Sequence, residues 1–215
     1  MFDFDGTMLD TETPYFRAWC EAYTEHGLEL TVEEWATCLG THGGFDPLED
    51  LAAKGAEFDR DELWARMRDR KDELTDVDTL LPGIRDWILE AAELGLAIAV
   101  ASSSTHPWVH GHLTRLALAD RFGHLSCREE GVPPKPEPDL YLRACGALGV
   151  DPSRALAVED SPNGVTAAKA AGLYCVAVPH ELTASLDLSQ ADLLVRSLDE
   201  ISLADAIEQL TSKAA

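Results

Sequence analysis

Two periodicities divide the chain. Beyond about residue 80, short unbroken apolar runs alternate with stretches whose apolar residues recur every three or four positions. The runs are LAIAVASSS (96–104), ALAVEDS (155–161) and YCVAVP (174–179). Unbroken apolar runs bounded by polar turns predict strands buried on both faces, as in a parallel sheet. Between them, IRDWILEAAELG (84–95) and DLYLRACGALG (139–149) predict helices closed by a glycine. SPNGVTAAKAAG (161–172) opens on Ser and Pro and closes on Gly, the polarity of a helix start and stop. Strands alternating with helices predict a doubly wound α/β core.

Residues 13–78 follow the other rule. YFRAWCEAYTEHG, VEEWATCLG, PLEDLAAKG and RDELWARMRDRKDEL all carry the helical spacing, and no strand-like run interrupts them. The expected organisation is an α/β core of residues 1–12 and 79–215, with an all-helical insertion at 13–78 and DVDTLLPG (76–83) as the return linker. Only Met1 and Phe2 precede Asp3, so the strand leading to it is expected to be short, against about 5–6 residues for an ordinary strand; a start upstream of Met1 or a trimmed end would account for this.

Composition narrows the function. Over 215 residues, 39 Asp and Glu face 17 Lys and Arg, a net charge of −22. Such a field repels nucleic acid and anionic lipid, so neither is an expected partner. An anionic substrate would need local cations or a metal ion. Five cysteines, an odd number without a CxxC pair, argue against a disulfide framework or zinc site and fit a reducing compartment. The opening MFDFDGTML lacks the pattern of a signal peptide. No apolar run approaches the ~20 residues of a membrane helix. A cytoplasmic monomer is the expectation.

Four features carry chemistry. In Asp3-Phe4-Asp5-Gly6-Thr7, residues two apart on a strand face the same side, so both carboxylates can turn to one site. Two carboxylates this close call for a cation, and Mg²⁺ prefers oxygen ligands. An acidic turn capping a helix is the alternative. In VASSS, Ser102 and Ser103 follow an apolar run and precede a helix start, where hydroxyls and N–H groups can take an anion or merely cap. In PPKPEPDLY, Lys135 is held between prolines, a fixed cation for a phosphoryl group or an ordinary surface lysine. In VEDSPNG, Glu159 and Asp160 end a very apolar strand and can complete a hard-cation site or cap the next helix. All four lie at the carboxyl ends of expected strands, where open α/β sheets build their sites.

These motifs, in this order, resemble the haloacid dehalogenase-like superfamily, in the subgroup with a small helical cap after the first motif. DFDGTMLDTE, VASSS, KPEPD and VEDSPNG match its four motifs, and the likeness covers essentially the whole chain. It implies that Asp3 attacks phosphorus and becomes an aspartyl-phosphate, and that Asp5 is the general acid and base. It implies that Ser102, the Ser103 amide and Lys135 hold phosphoryl oxygens. Mg²⁺ is then bound by Asp3, the Asp5 carbonyl and Asp160, with Glu159 in support. The substrate is a small phosphorylated metabolite.

Within the subgroup the chain resembles sugar-phosphate phosphatases and β-phosphoglucomutase. The DTE tripeptide, the FRAW stretch and Lys71 are mutase-like. The mutase's cap histidine, however, is replaced by Tyr15, and its phosphate-gripping arginine falls where LGTHGGFD has Gly43. A phosphatase is therefore favoured over a mutase, with a non-catalytic phosphometabolite sensor as a third reading. Candidate specificity residues on the cap are Tyr15, Thr41, His42, Phe45 and Lys71, set against cap core for the two aromatics and a solvated helix face for Lys71. Trp19, Trp35, Trp64 and Trp87 are expected to pack, and Trp108 to cap its helix.

Overall fold

A computed structural model describes residues 1–36, 45–75 and 79–212. Thr41 and His42 lie outside the described residues, as do the end of VEEWATCLG and the start of the expected linker.

The core is one parallel sheet with the N-terminal segment at its centre. Strands β1 (Ala99–Thr105) and β2 (His124–Arg128) pair on one side; β3 (Leu156–Glu159), β4 (Tyr174–Ala177) and β5 (Leu193–Leu194) follow on the other. Phe2 joins the halves, bridging Val100 and Val158 in parallel. Its N–H donates to the Ala99 carbonyl at 2.9 Å, and the Asp3 N–H donates to the Val158 carbonyl at 2.9 Å. Both neighbouring strands thus satisfy the backbone groups of the segment that carries the first acidic motif.

Helices α5 (Ile84–Glu93), α6 (His106–Arg115), α7 (Asp139–Leu148), α8 (Pro162–Ala170) and α9 (Leu203–Ser212) cover the sheet. One apolar cluster joins Phe2, Phe4, Trp87, Val100, Val158 and Val176; a second joins Tyr141, Ala157, Val165 and Cys175. The expected glycine and serine caps form: Gly149 closes α7 at φ +66°, and the Ser161 hydroxyl accepts the Gly164 N–H at 3.2 Å. β1 begins three residues later than its apolar run, since Leu96 is exposed. Strand β2 has no counterpart in the sequence expectation. Its HLSCR carries too few apolar residues to stand out, and register with β1 makes it a strand. β5 and α9 were likewise not anticipated.

Helices α1 (Glu12–Glu25), α2 (Val32–Ala36), α3 (Pro47–Ala53) and α4 (Arg60–Leu74) occupy the insertion. They share a separate apolar cluster built on Trp19, Tyr23, Trp35, Leu51 and Met67. Leu182, from the turn after β4 and 1% exposed, joins that cluster from the core side. Trp64 differs from the expected packing role, being 45% exposed although its ring meets Tyr15 and Trp19.

Candidate active site

The strand ends meet as the topology requires. Asp3, Glu159 and Asp160 are all buried, and each offers a carboxylate oxygen within 4.8 Å of the others. The Lys135 ammonium is 2% exposed and donates to Asp3 Oδ1 at 2.5 Å and to Glu159 Oε1 at 2.6 Å. The Tyr141 hydroxyl, one turn into α7, donates to the same Glu159 oxygen at 2.5 Å. Pro134 and Pro136 flank the lysine, whose N–H also reaches the Ser103 hydroxyl at 3.3 Å.

Burial sets the electrostatics. It pushes the Asp3 carboxyl well above the usual carboxylate range; Lys135 opposes the shift, while Glu159 and Asp160 add to it. Glu159 is raised by burial in the same way. For Lys135, burial pulls the ammonium down, but Asp3 and Glu159 together outweigh it and hold the group above its ordinary value. Three buried carboxylates against one ammonium leave an excess of negative charge, which a low-dielectric site does not tolerate uncompensated. Glu159 Oε2 is moreover buried without a hydrogen-bond partner. An all-oxygen donor set with surplus negative charge fits a hard divalent cation such as Mg²⁺.

Asp160 is held from two sides. The Thr7 hydroxyl donates to Oδ1 at 3.1 Å, and His180 Nε2 lies 3.0 Å from Oδ2. The Leu182 N–H points at His180 Nδ1 at 3.3 Å, which places the ring proton of the neutral imidazole on Nε2, toward Asp160. Gly6, at φ +82°, makes the turn directly after Asp3 and Asp5; a Cβ there would fall 2.7 Å from Asp160 Oδ2.

Asp5 points elsewhere. Its carboxylate accepts from the Thr11 hydroxyl at 2.8 Å, the Ser104 hydroxyl at 2.6 Å and the Trp108 indole N–H at 2.9 Å. It is not among the three clustered carboxylates. Ser102 is buried, and its hydroxyl accepts the Ser104 N–H at 3.0 Å. The β1–β2 register shifts between Ser102 and Thr105, an irregularity that re-aims side chains at this strand end.

Of the insertion's candidates, Lys71 reaches the site: its Nζ stands 4.2 Å from the Trp108 ring centroid and 5.9 Å from that of Tyr15. Tyr15 and Phe45 sit in the aromatic cluster around Trp35. Glu12, at the start of α1, is the residue the sequence reading missed on this side. Burial, then Asp5 and Asp160, push its carboxyl up to about 8, against the pull of His180 and Lys71. His180 was also missed, although it ends the apolar run YCVAVP and so obeys the strand-end rule that singled out the other four features. Thr7, Thr11, Ser104 and Tyr141 stand within motifs already noted. Trp108 does not cap α6, whose N-cap is Thr105; its indole N–H goes to Asp5 instead.

A parallel sheet with an acidic cluster, a buried lysine and a hydroxyl turn at the strands' carboxyl ends is an arrangement suited to a divalent cation and an anionic group. Residues 1–172 match the model for the haloacid dehalogenase-like hydrolase family, and the chain belongs to that family. It is 39% identical over 99% of its length to YhcW of Bacillus subtilis (strain 168), covering 97% of that protein. Hexitol phosphatase B of Escherichia coli (strain K12) is 32% identical, with 96% of this chain and 95% of that protein aligned. Among solved structures, a CbbY variant from Rhodobacter sphaeroides in complex with xylulose-(1,5)bisphosphate superposes with a TM-score of 0.70 at 30% identity, covering 94% of this chain and 96% of the other. Among the described residues, no helix is long and apolar enough to cross a membrane.

Proposed function

We propose that the protein is a Mg²⁺-dependent phosphatase that hydrolyses a small phosphorylated metabolite, a sugar or sugar-alcohol phosphate, through an aspartyl-phosphate on Asp3. The observation that carries this reading is the buried Asp3–Lys135–Glu159–Asp160 cluster, with Asp5 held apart from it by three donors. The relatives' phosphatase and bisphosphate associations support the substrate class.

In this reading an Asp3 carboxylate oxygen forms a bond to phosphorus as the ester P–O bond breaks, and Asp5 supplies the proton to the departing oxygen. Asp5 then takes a proton from water, which attacks the acyl-phosphate and releases inorganic phosphate and Asp3. Lys135 favours the ionised form of Asp3 against its burial and neutralises phosphoryl oxygens, and the Ser102–Ser103 turn receives them. Mg²⁺, when bound by Asp3, the Asp5 carbonyl and Asp160 with Glu159 behind, supplies charge neutralisation for the transferring group. Residues 13–78 form the cap, Lys71 projects from it toward the substrate, and Glu12 stands where the chain enters it. Tyr15, packed among Trp19, Trp35 and Trp64, is a poor stand-in for a mobile cap histidine, which favours hydrolysis over mutase chemistry.

The test is phosphate release from p-nitrophenyl phosphate and a panel of hexose, pentose and hexitol phosphates with and without Mg²⁺. Asp3→Asn should lose turnover by at least about a thousandfold while still folding cooperatively; an active variant removes Asp3 as the nucleophile. Isomerisation of a hexose phosphate without net phosphate release would establish the mutase instead. Binding without turnover would establish a sensor.

A further inference from the structure

We infer that Trp108 is the positioning residue for the general acid Asp5, and that its indole N–H decides which carboxyl oxygen carries the catalytic proton; this rests on the phosphatase reading. Asp5 Oδ1 accepts from the indole at 2.9 Å and from Thr11 at 2.8 Å, whereas Oδ2 is held by Ser104 at 2.6 Å. The three donors differ in kind. A hydroxyl rotates and serves as donor or acceptor, but an indole N–H only donates. The indole therefore holds Oδ1 as an acceptor whichever way the two hydroxyls turn. Oδ2 has a single hydroxyl partner, Ser104, that can turn from donor to acceptor, which makes it the better seat for the proton of the acid form.

The indole is itself fixed. Lys71 Nζ from α4 stands over its ring at 4.2 Å, and the His112 ring meets it edge-on at a centroid distance of 4.2 Å. His112 is buried, and its Nδ1 is 2.6 Å from the Arg115 guanidinium, so this wall of the indole is tied down as well. A cation over an indole face is the favoured form of this contact. One side chain thus touches the insertion through its face and the acid through its edge. The cap residue sets the ring, and the ring sets Asp5.

Leaving-group dependence tests the inference without reference to the natural substrate. Phenyl phosphate and p-nitrophenyl phosphate present the same ring, but phenolate needs a proton as it departs while p-nitrophenolate is a stable anion near neutrality. kcat/KM reports the steps through leaving-group departure. Trp108→Phe keeps a ring under Lys71 and removes the donor. We expect a loss of about tenfold or more in kcat/KM on phenyl phosphate, mostly in kcat, and less than about threefold on p-nitrophenyl phosphate, within the range general acid catalysis supplies. If Trp108→Phe does not fold, a benzothienyl-alanine at position 108 keeps the bicyclic shape, lacks only the N–H, and must give the same selective loss. Equal losses on both esters, or none on either, overturn the inference alone. A wild type inert on both esters overturns the phosphatase reading and this inference with it.

Discussion

Replacing Lys135 by Met tests the electrostatic core of the site. The substitution keeps an unbranched side chain of similar length and deletes an ammonium that lies 2.5 Å from Asp3 and 2.6 Å from Glu159. Both carboxylates remain, buried at 8% and 0% exposure, with Asp160 beside them. Removing one partner of a buried ion pair costs about 3–5 kcal/mol, because the surviving charge is left uncompensated. Coulomb's law at an effective dielectric near 20 and ~4 Å gives about 4 kcal/mol, the same scale. For a chain of this size that is a fall of roughly 6–20 °C in melting temperature.

The pH dependence has a definite sign. Asp3 and Glu159 already titrate above their ordinary values in the fold. A carboxyl with a raised folded pKa is least harmful below its unfolded pKa near ~4, where it is neutral in both states, and costs stability as pH rises through the folded value. Lys135 itself is raised, so the native ammonium is present throughout the acid and neutral range. The difference between variant and wild type should therefore be small near pH 4.5 and grow toward pH 7.5. Millimolar magnesium chloride should narrow it by restoring a cation. Urea unfolding followed by circular dichroism, without metal at the two pH values and then with magnesium, measures all three effects. A penalty under about 1 kcal/mol that is the same at both pH values would refute the claim that Lys135 neutralises buried carboxylates.

Other outcomes follow from neighbouring contacts. A Cβ at Gly164 would overlap the Glu159 carboxylate, so Gly164→Ala should destabilise by about 1–3 kcal/mol in denaturant titration, despite the ~1 kcal/mol that Ala gains in a helix; a stabilised variant would show that Glu159 has room to move. The Glu12 carboxyl, raised to about 8 chiefly by burial, is neutral in both states below its ordinary pKa and costs stability progressively as pH rises from there toward about 8. Glu12→Gln should accordingly be near neutral at pH 4 and more stable than wild type by roughly 2–4 kcal/mol at pH 8.5 without metal, read from urea midpoints; a pH-independent difference would remove Glu12 from the buried acidic set. Leu182→Ala opens the contact between the β4 turn and the insertion and should cost about 2–4 kcal/mol. It should also speed proteolysis within residues 13–78, and unchanged digestion would show that the insertion does not depend on this anchor.

The amino-acid sequence alone determined the layered plan. Apolar runs at β1, β3 and β4, helical spacing across α1–α4, and the caps at Ser161 and Gly149 are local signals, and local backbone physics turns them into elements. The strand-end rule then pointed to Asp3, Ser102, Glu159 and Asp160, because a parallel sheet gathers its carboxyl ends on one side, and the flanking prolines pointed to Lys135. Tertiary structure decided the rest. HLSCR is a strand only because β1 offers it a ladder, and the segment at Phe2 is held between strands that flank it on both sides. Lys135 and Asp3 are 132 residues apart, and their contact has no periodic signature. Trp108, Glu12 and His180 acquire their surroundings from helices and turns distant in sequence. Their character depends on who else is buried nearby, because the cost of a charge or an N–H out of water is set by its neighbours in space.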